Sequence, residues 1–414
     1  MKCKVLIYCL LFVCNSYAQV ENNVFNSVPA TNAEQPAVIE LNTESEMLEE
    51  DQKSSVNTRS ESKVKVKSAE KQVVPAPVME QGLKDKSGYG SNQEQLQQQY
   101  RSQTIQFTST KEQSSYQRTQ RSPNEYQQKS MDDAVDYFES NAPNTFEYHY
   151  FYYVSGNYNL DRVDHLFEAQ KLKPENSDVI LHLGGYYIIK SETAPGLKMI
   201  EKLIKNGRLT QSNMHYATDL LTSVQKNGVL ITHGFEDTYA AWYVQNSMNF
   251  RKDVKIVSLD FLQSEEYRTS LQKDGLNLPD QEIIDNNYLS QFCSINESQG
   301  IAISLTTPKE YFVPIQNKLF VVGLVFIYSN EPINNFYKNE LLWNVEMKKE
   351  LLKSANNEKS KKMLSNYLPM LLQMRQTYQL KSDVQKLNSI DESIDKLGAM
   401  CNKYEQVQKI KGSY

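Results

Sequence analysis

The feature that most constrains the fold is a short apolar run that passes directly into a helix-forming segment. Residues 229–232, Val-Leu-Ile-Thr, are followed by His233, Gly234, Phe235, two acidic residues and a threonine. The next segment carries apolar residues at helical spacing: Tyr239, Trp242, Tyr243 and Val244. A buried strand that continues into a helix in this way is typical of an α/β unit, in which ligands commonly bind at the carboxyl ends of the strands.

A second apolar and β-branched run, Val254–Phe261, completes a strand–helix–strand pattern. Continuous apolar strands indicate a sheet that is covered on both faces, and the crossover of such a unit is expected to be right-handed. Further strands are predicted at Gly300–Leu305, Tyr311–Ile315 and Leu319–Tyr328, the last two joined by a turn at 316–318, and a helix is predicted near Gln281–Phe292. The sequence therefore predicts a small Rossmann-like βαβ domain over residues 226–335.

The segment before this domain has the pattern of paired helices. Tyr153 and Tyr187 are separated by the 34 residues of one tetratricopeptide repeat, as are Leu166 and Ile200. Two such units are fewer than an independent solenoid needs, so they are expected to be stabilised by the next domain. We therefore predict a tetratricopeptide-like helical region over residues 131–225.

The end of the chain, residues 336–414, is charged and has helical periodicity. Leucine, valine and methionine residues that recur there at helical spacing are interpreted as packing positions between helices, and Pro369 is expected to kink or restart a helix. The residues in this set are Leu341, Val345, Leu352, Leu364, Leu368, Leu371 and Met374. The predicted fold class is α/β with helical repeats and C-terminal helices.

The start of the chain has the features of a secretory signal peptide. Lys2 and Lys4 precede an apolar core at 5–13, and small residues at 16 and 18 predict cleavage before Gln19. The apolar run is shorter than the roughly 20 residues of a membrane-spanning helix. A membrane anchor and a lipoprotein modified at Cys14 are the alternatives. We predict a signal peptide at 1–18 and an exported protein that is periplasmic or associated with the outer membrane.

Residues 19–130 are rich in Ser, Gln, Glu, Lys and Asn, with scattered hydrophobic residues. Such a composition buries too little apolar area to offset the entropy cost of ordering, so we predict a disordered arm. Its tyrosines at 89, 100, 116 and 126 are either a consequence of composition or contacts for a partner.

Charge and cysteine content exclude some classes of function. A net charge of −5 over 414 residues gives no basis for binding nucleic acid, and membrane contact is expected only through partners. After the signal peptide only Cys293 and Cys401 remain, which predicts either one disulfide or two separate thiols. The common hydrolase, nucleotide-binding and zinc motifs do not occur, and no cofactor or metal is predicted.

Residues 228–234, Glu236–Tyr239 and Trp242–Gln245 resemble a segment of a bacterial envelope family. Its larger members join a multi-pass, glycosyltransferase-like membrane region to a soluble tail of helical repeats and an α/β domain. They are related to protein O-mannosyltransferase-like membrane proteins. The resemblance extends over about residues 145–350 and implies the fold of that soluble tail.

The chain also departs from that family pattern. Glu236 stands where the family has Asn, Ala240 stands where it has Pro, Phe235 is an insertion, and the multi-pass region is not present in this sequence. Transfer from a lipid-linked sugar would need residues of that region. The resemblance therefore implies the fold without the transferase activity.

The candidate ligand-binding residues are His233, Glu236, Asp237, Thr238 and Trp242. Of these, His233, Glu236 and Asp237 lie nearest the predicted strand end. They could form a small-ligand site, part of a metal site or an acid–base pair. Asp237 or Thr238 could instead cap the helix that follows. The sequence favours capping and predicts no catalytic residue.

The function predicted is therefore that of a non-catalytic interaction or scaffold protein of a bacterial cell envelope. The resemblance suggests an accessory of type IX secretion or gliding motility, with an envelope or outer-membrane protein complex as partner. The alternative is a glycan- or acceptor-binding component of an envelope glycosylation system.

Overall fold

The computed structural model describes residues 90–115 and 118–412, and side chains from residue 93 onward. The predicted signal peptide at 1–18 and the arm as far as residue 89 lie outside these ranges. The described part is mostly helical around a small mixed sheet. The helices before the sheet are α1 Gly90–Ser115, α2 Glu125–Asn141, α3 Phe146–Ser155, α4 Val163–Leu172, α5 Ser177–Ile189, α6 Thr193–Lys205 and α7 Gln211–Ser223. α3 packs on α4 and α5 packs on α6, which confirms the predicted helix pairs.

Helix α1 corrects the prediction of disorder as far as residue 130. Its residues Tyr100, Thr104, Phe107, Lys111 and Ser114 are spaced by four, three, four and three positions, and all five are buried or half-buried. This spacing forms one stripe along a helix. The Phe107 ring is 1% exposed and stacks on another aromatic ring with centroids 4.0 Å apart. This helix was not predicted from the sequence because the residues on its exposed faces are rich in Gln.

Five strands form one sheet in the order β2-β1-β3-β5-β4. They are β1 Val229–Thr232, β2 Lys255–Ser258, β3 Ile301–Ser304, β4 Leu319–Val322 and β5 Val325–Tyr328, with helices α8 Gly234–Ser247, α9 Glu265–Lys273 and α10 Asn286–Ile295 between them. β1 is parallel to both β2 and β3, so Ile231 pairs with Val257 on one side and with Ile303 on the other. The predicted Rossmann-like βαβ unit, β1–α8–β2, is confirmed.

The predicted strand at Tyr311–Ile315 is wrong, as is its hairpin with the strand that follows. Tyr311 and Phe312 lie in a short 3-10 helix, Lys309–Phe312, and residues 313–315 form a turn before a second 3-10 helix, Gln316–Lys318. The predicted strand Leu319–Tyr328 is instead a hairpin in which β4 and β5 pair antiparallel. Gly323 makes the reversal possible, because its φ of 59° is in the left-handed region that glycine adopts without strain.

The C-terminal helices are α11 Phe336–Leu341, α12 Glu350–Ser354, α13 Glu358–Leu364, α14 Leu368–Leu380, α15 Val384–Met400 and α16 Tyr404–Lys411, and a π-helical turn, Leu342–Glu346, follows α11. Pro369 lies at the first turn of α14, where its missing N–H costs no helical hydrogen bond. The predicted packing positions in α13 and α14 are buried. Leu341 and Val345, also predicted to pack, are 43% and 72% exposed, and that prediction is wrong.

Side chains cover both edges of the sheet. At the β2 edge, the hydroxyl of Tyr267 donates to the carbonyl of Ile256 at 3.1 Å. At the β4 edge, the amides of Asn335 and Asn339 both donate to the carbonyl of Val321, at 2.7 and 3.0 Å. Because these edge groups are already bonded, addition of a partner's strand is disfavoured at both edges.

Cys293 and Cys401 are separate buried thiols. The sequence predicted either one disulfide or two separate thiols, and the structure has the two separate thiols.

Within residues 90–115 and 118–412, no helix is long and apolar enough to cross a membrane.

Candidate functional site

The carboxyl ends of β1, β2 and β3 meet at one edge of the sheet, and the candidate site lies there. β1 ends beside His233, β2 ends near Asp260, and β3 ends at Ser304. In α/β folds this edge is where ligands usually bind, because the strand ends and the following helix starts leave a crevice. The side chains that occupy this crevice determine whether a ligand can bind there.

Arg121, from the connection between α1 and α2, enters this crevice. Its backbone N–H donates to the carbonyl of Ile284 at 3.1 Å, which holds the connection across the strand ends. Its guanidinium pairs with the carboxylate of Asp260 and lies 2.9 Å from Nε2 of His233. A residue of this chain therefore occupies the space between the ends of β1 and β2.

The charges in this group are set by burial and by the ion pair. Burial alone raises the pKa of an aspartate, but Arg121 reverses the effect, so the pKa of Asp260 is lower than usual. Burial and then the charge of Arg121 lower the pKa of His233 to about 3. At neutral pH the group therefore contains one cation, one anion and a neutral imidazole.

The sequence favoured Asp237 or Thr238 as the cap of helix α8, but Asp237 does not cap it. The helix begins at Gly234, and His233, in the capping position, makes no side-chain capping bond. Asp237 lies in the first turn with its carboxylate directed into the protein, where it accepts hydrogen bonds from Ser304, at 2.8 Å, and from Thr306. Burial raises the pKa of Asp237 to about 6, although the two hydroxyl hydrogen bonds act in the opposite direction.

The neighbours of Asp237 also take part in internal contacts. Thr238 donates to the carbonyl of Gly234 at 2.8 Å, and its hydroxyl lies 2.8 Å from that of Thr232. Thr238 therefore joins the first turn of α8 to the end of β1 and does not cap the helix. Glu236 is partly exposed and forms an ion pair with Lys359 of α13.

Trp242 is not at the strand ends. Its ring packs beside Gly196 of α6, where an added Cβ would come within 2.9 Å of the ring. Trp242 thus holds α8 against the helical region. Of the five predicted ligand-binding residues, the structure brings His233, Glu236, Asp237 and Thr238 to one end of α8. It places Trp242 on the face of α8 that packs on α6.

The sequence did not indicate the residues that complete this region. Arg121 fell within the predicted arm, and Asp260 fell inside a predicted strand. Among the described residues, no group of three or more His, Cys, Asp or Glu side chains has the arrangement of a metal site.

Residues 213–392 match the model of the family described as TMEM260-associated domain 2. The matched segment begins within α7 and ends within α15, so it includes the whole sheet and the site at its edge. Helices α1–α6, and Arg121, precede it. Comparisons with curated proteins and with solved structures give no match.

Proposed function

We propose that the protein is a non-catalytic interaction protein of a bacterial cell envelope, and that its C-terminal helices dock an envelope protein complex. The observation that carries this proposal is an exposed apolar stripe on α11 and the π-helical turn after it. Tyr337, Leu341 and Val345 are spaced by four residues and are 62%, 43% and 72% exposed. Contiguous apolar side chains on a helix surface commonly mark a binding site, and π-helical turns occur often at functional positions.

Neighbouring residues extend the stripe and give it a charge. Leu380 and Val384 are 56% and 65% exposed, and between them Lys381 lies 4.9 Å from the ring of Tyr337. Lys348 lies over the ring of Phe250, 5.4 Å from its centroid. Neither lysine forms an ion pair with a described carboxylate. A partner segment whose apolar side chains are flanked by carboxylates complements such a surface.

The arrangement at the strand ends supports a non-catalytic role. Asp237 is bonded to two hydroxyls of its own chain, and Arg121 fills the space between β1 and β2. An acid–base catalyst has to reach its substrate by a hydrogen bond or through one water. Here Asp237 is directed inward, toward Ser304 and Thr306, and Asp260 is paired with Arg121.

The match to TMEM260-associated domain 2 favours a second candidate. By the resemblance of residues 228–245 to the soluble tail of O-mannosyltransferase-like membrane proteins, the protein would belong to an envelope glycosylation system. In that system the exposed stripe would bind the acceptor protein, and the transferase activity would reside in another subunit.

Affinity purification of the full chain from native envelope tests the first proposal. We expect a stable complex whose main partner is identified by mass spectrometry and whose yield falls with salt, since paired charges at a surface are screened. Leu341→Asp should abolish the complex. Val313→Asp is the matched control, because Val313 is at least as accessible as Leu341, at 62% against 43% exposure, and lies outside the stripe.

Other results would contradict the proposal. If the protein purifies alone and binds a glycan, and Asp237→Ala abolishes that binding without loss of folding, the docking function is wrong. If the partner that co-purifies is a glycosyltransferase, the second candidate replaces the first. Localisation is tested separately by cell fractionation and by sequencing the mature N-terminus, which is expected at Gln19.

A further inference from the structure

A cavity of about 610 Å³ lies at the amino ends of β1 and β2, the edge of the sheet opposite to His233 and Asp260. Its walls come from three segments: the residues before β1, the residues before β2, and α11 with the π-helical turn and residues that follow it. The volume is within the roughly 300–1,000 Å³ range of ligand sites in proteins. We call this cavity the Phe250 pocket, after the aromatic ring in its lining.

The Phe250 pocket has an excess of positive charge. Its charged lining residues are the cations Lys226, Arg251, Lys338 and Lys348 and the carboxylates Asp253 and Glu346. Arg251 pairs with Asp253 at 2.9 Å, and Lys338 pairs with Glu346 at 2.8 Å. Both lining carboxylates are thus already paired, and the other two lysines have no ion pair within the part of the chain that the structure describes. Two unpaired cations beside one cavity favour an anionic ligand.

Arg251 fixes one wall of the pocket. Its guanidinium donates to the carbonyls of Leu221 and Val224, at 2.8 and 2.9 Å, where α7 ends. It also donates two hydrogen bonds of 2.9 Å to the carboxylate of Asp253. Because these bonds hold the wall in place without a ligand, binding does not have to order it, which lowers the entropy cost of binding.

The buried carboxylate of Asp219 fixes a second wall. It accepts hydrogen bonds from the backbone N–H groups of Lys348 and Lys349, at 2.8 and 3.0 Å. The side chain of Lys348 takes no part in these bonds and extends over the ring of Phe250, with its ammonium 5.4 Å from the ring centroid. The backbone therefore presents the Lys348 charge at the pocket, where no carboxylate of the described residues neutralises it.

The pocket adjoins the apolar stripe on α11. Lys338 follows Tyr337 of the stripe by one residue, and Glu346 follows Val345 of the stripe by one residue. The ion pair of Lys338 and Glu346 lines the pocket. A segment that covers the stripe therefore lies beside the pocket as well.

We propose that the Phe250 pocket receives an acidic stretch of the same partner segment that docks on the stripe, an inference that rests on the proposed docking function. Lys226 and Lys348 donate charge-assisted hydrogen bonds to Asp or Glu carboxylates of that stretch. The partner segment then has apolar side chains for the stripe and carboxylates on one side of them. This asymmetry fixes the direction in which the segment lies along α11.

Photocrosslinking of the full chain in native envelope tests the pocket and the stripe separately. A photoreactive residue is placed at Gln225, an exposed lining residue of the pocket, in one protein and at Val345 of the stripe in the other. We expect the same partner at both positions, and an Asp- or Glu-rich peptide attached at Gln225 by mass spectrometry.

The outcomes separate this inference from the docking function. A crosslink at Val345 with none at Gln225, or with a different partner there, overturns the pocket and leaves the docking function standing. An attached peptide at Gln225 without carboxylates also overturns the pocket alone. No crosslink at Val345 contradicts the docking function and this inference together.

Charge reversal tests the role of the two lysines. Lys226→Glu and Lys348→Glu should each lower the yield of the Val345 crosslink by about tenfold, because the new carboxylate repels those of the partner. Lys252→Glu is the matched control: it makes the same change of charge at an exposed lysine outside the pocket lining, and its yield should equal that of wild type. Asp219 binds only the backbone of Lys348, so Lys348→Glu keeps that anchor.

Folding of each variant is checked by urea denaturation, and if one lysine variant does not fold, the other decides the test. The inference is overturned if the crosslink yield of either folded lysine variant equals that of Lys252→Glu.

Discussion

Arg121 and Asp260 form an ion pair at the carboxyl end of the sheet although they are 139 residues apart in the sequence. Their side chains are 10% and 11% exposed. Removing one partner of such a pair leaves the other as an unpaired buried charge, which costs more than the pair itself contributes. This relationship ties the connection between α1 and α2 to the sheet.

The Arg121→Met variant should therefore lose about 3–5 kcal/mol of unfolding free energy, measured by urea denaturation. Arg118→Met is the matched control. Arg118 pairs with Glu310 at 3.0 Å, but Glu310 is 30% exposed and can be hydrated when its partner is removed. The control should lose about 1 kcal/mol or less. Equal losses of unfolding free energy in the two variants would show that burial does not make the Arg121–Asp260 pair more costly to break than the Arg118–Glu310 pair.

Asp237 gives a pH dependence of defined sign. The pKa of an unfolded aspartate is about 3.9, and burial raises the folded value to about 6. Between these values the folded chain binds the proton more tightly than the unfolded chain does. The contribution of Asp237 to stability is thus highest below pH 4 and falls as the pH rises through 6.

Asp237→Asn does not titrate and isolates this effect. The unfolding free energy of wild type minus that of the variant should fall by about 1–3 kcal/mol between pH 4 and pH 7. The difference also removes the opposite contribution of His182 and His233, whose pKa values are both lowered to about 3. A difference that stays flat over this range, or rises, would mean that Asp237 is ionised throughout.

Helix α1 should be part of the cooperative fold. Phe107→Ala removes a buried ring and should cost about 3–5 kcal/mol, read from the shift in the urea midpoint at constant slope. Ile105→Ala is the control on the same helix, because Ile105 is 66% exposed, and it should change stability by about 0.5 kcal/mol or less. If Phe107→Ala behaves like the control, α1 does not pack in solution as it does in the structure.

The sequence predicted the elements that depend on local patterns. The unit β1–α8–β2 was predicted because an apolar run, a helical spacing and a second apolar run follow one another within residues 229–261. The two strands of the hairpin β4–β5 were predicted as one strand, because Gly323 is the only interruption in a continuous apolar run. Helix α1 was missed because its single buried stripe contains Thr, Lys and Ser beside two aromatic residues and lies within a Gln-rich composition.

The candidate site was predicted less well, because its contacts join distant parts of the chain. Asp237 is bonded to Ser304 and Thr306, which are 67 and 69 residues away, and no local pattern indicates them. The capping prediction used only the neighbouring sequence and so did not include those hydroxyls. The exposure of Leu341 and Val345 was missed for a related reason. Helical spacing predicts which residues share a face but not whether another helix covers it.

The most direct test of the account is site-specific photocrosslinking in native envelope, with a photoreactive residue placed at Val345 in one protein and at Val313 in the other. Both positions carry valine and are well exposed, at 72% and 62%. The account predicts a single crosslinked partner at Val345, lost when Leu341→Asp is introduced in the same chain, and none at Val313. No crosslink at Val345, or the same partner at both positions, would contradict the docking function.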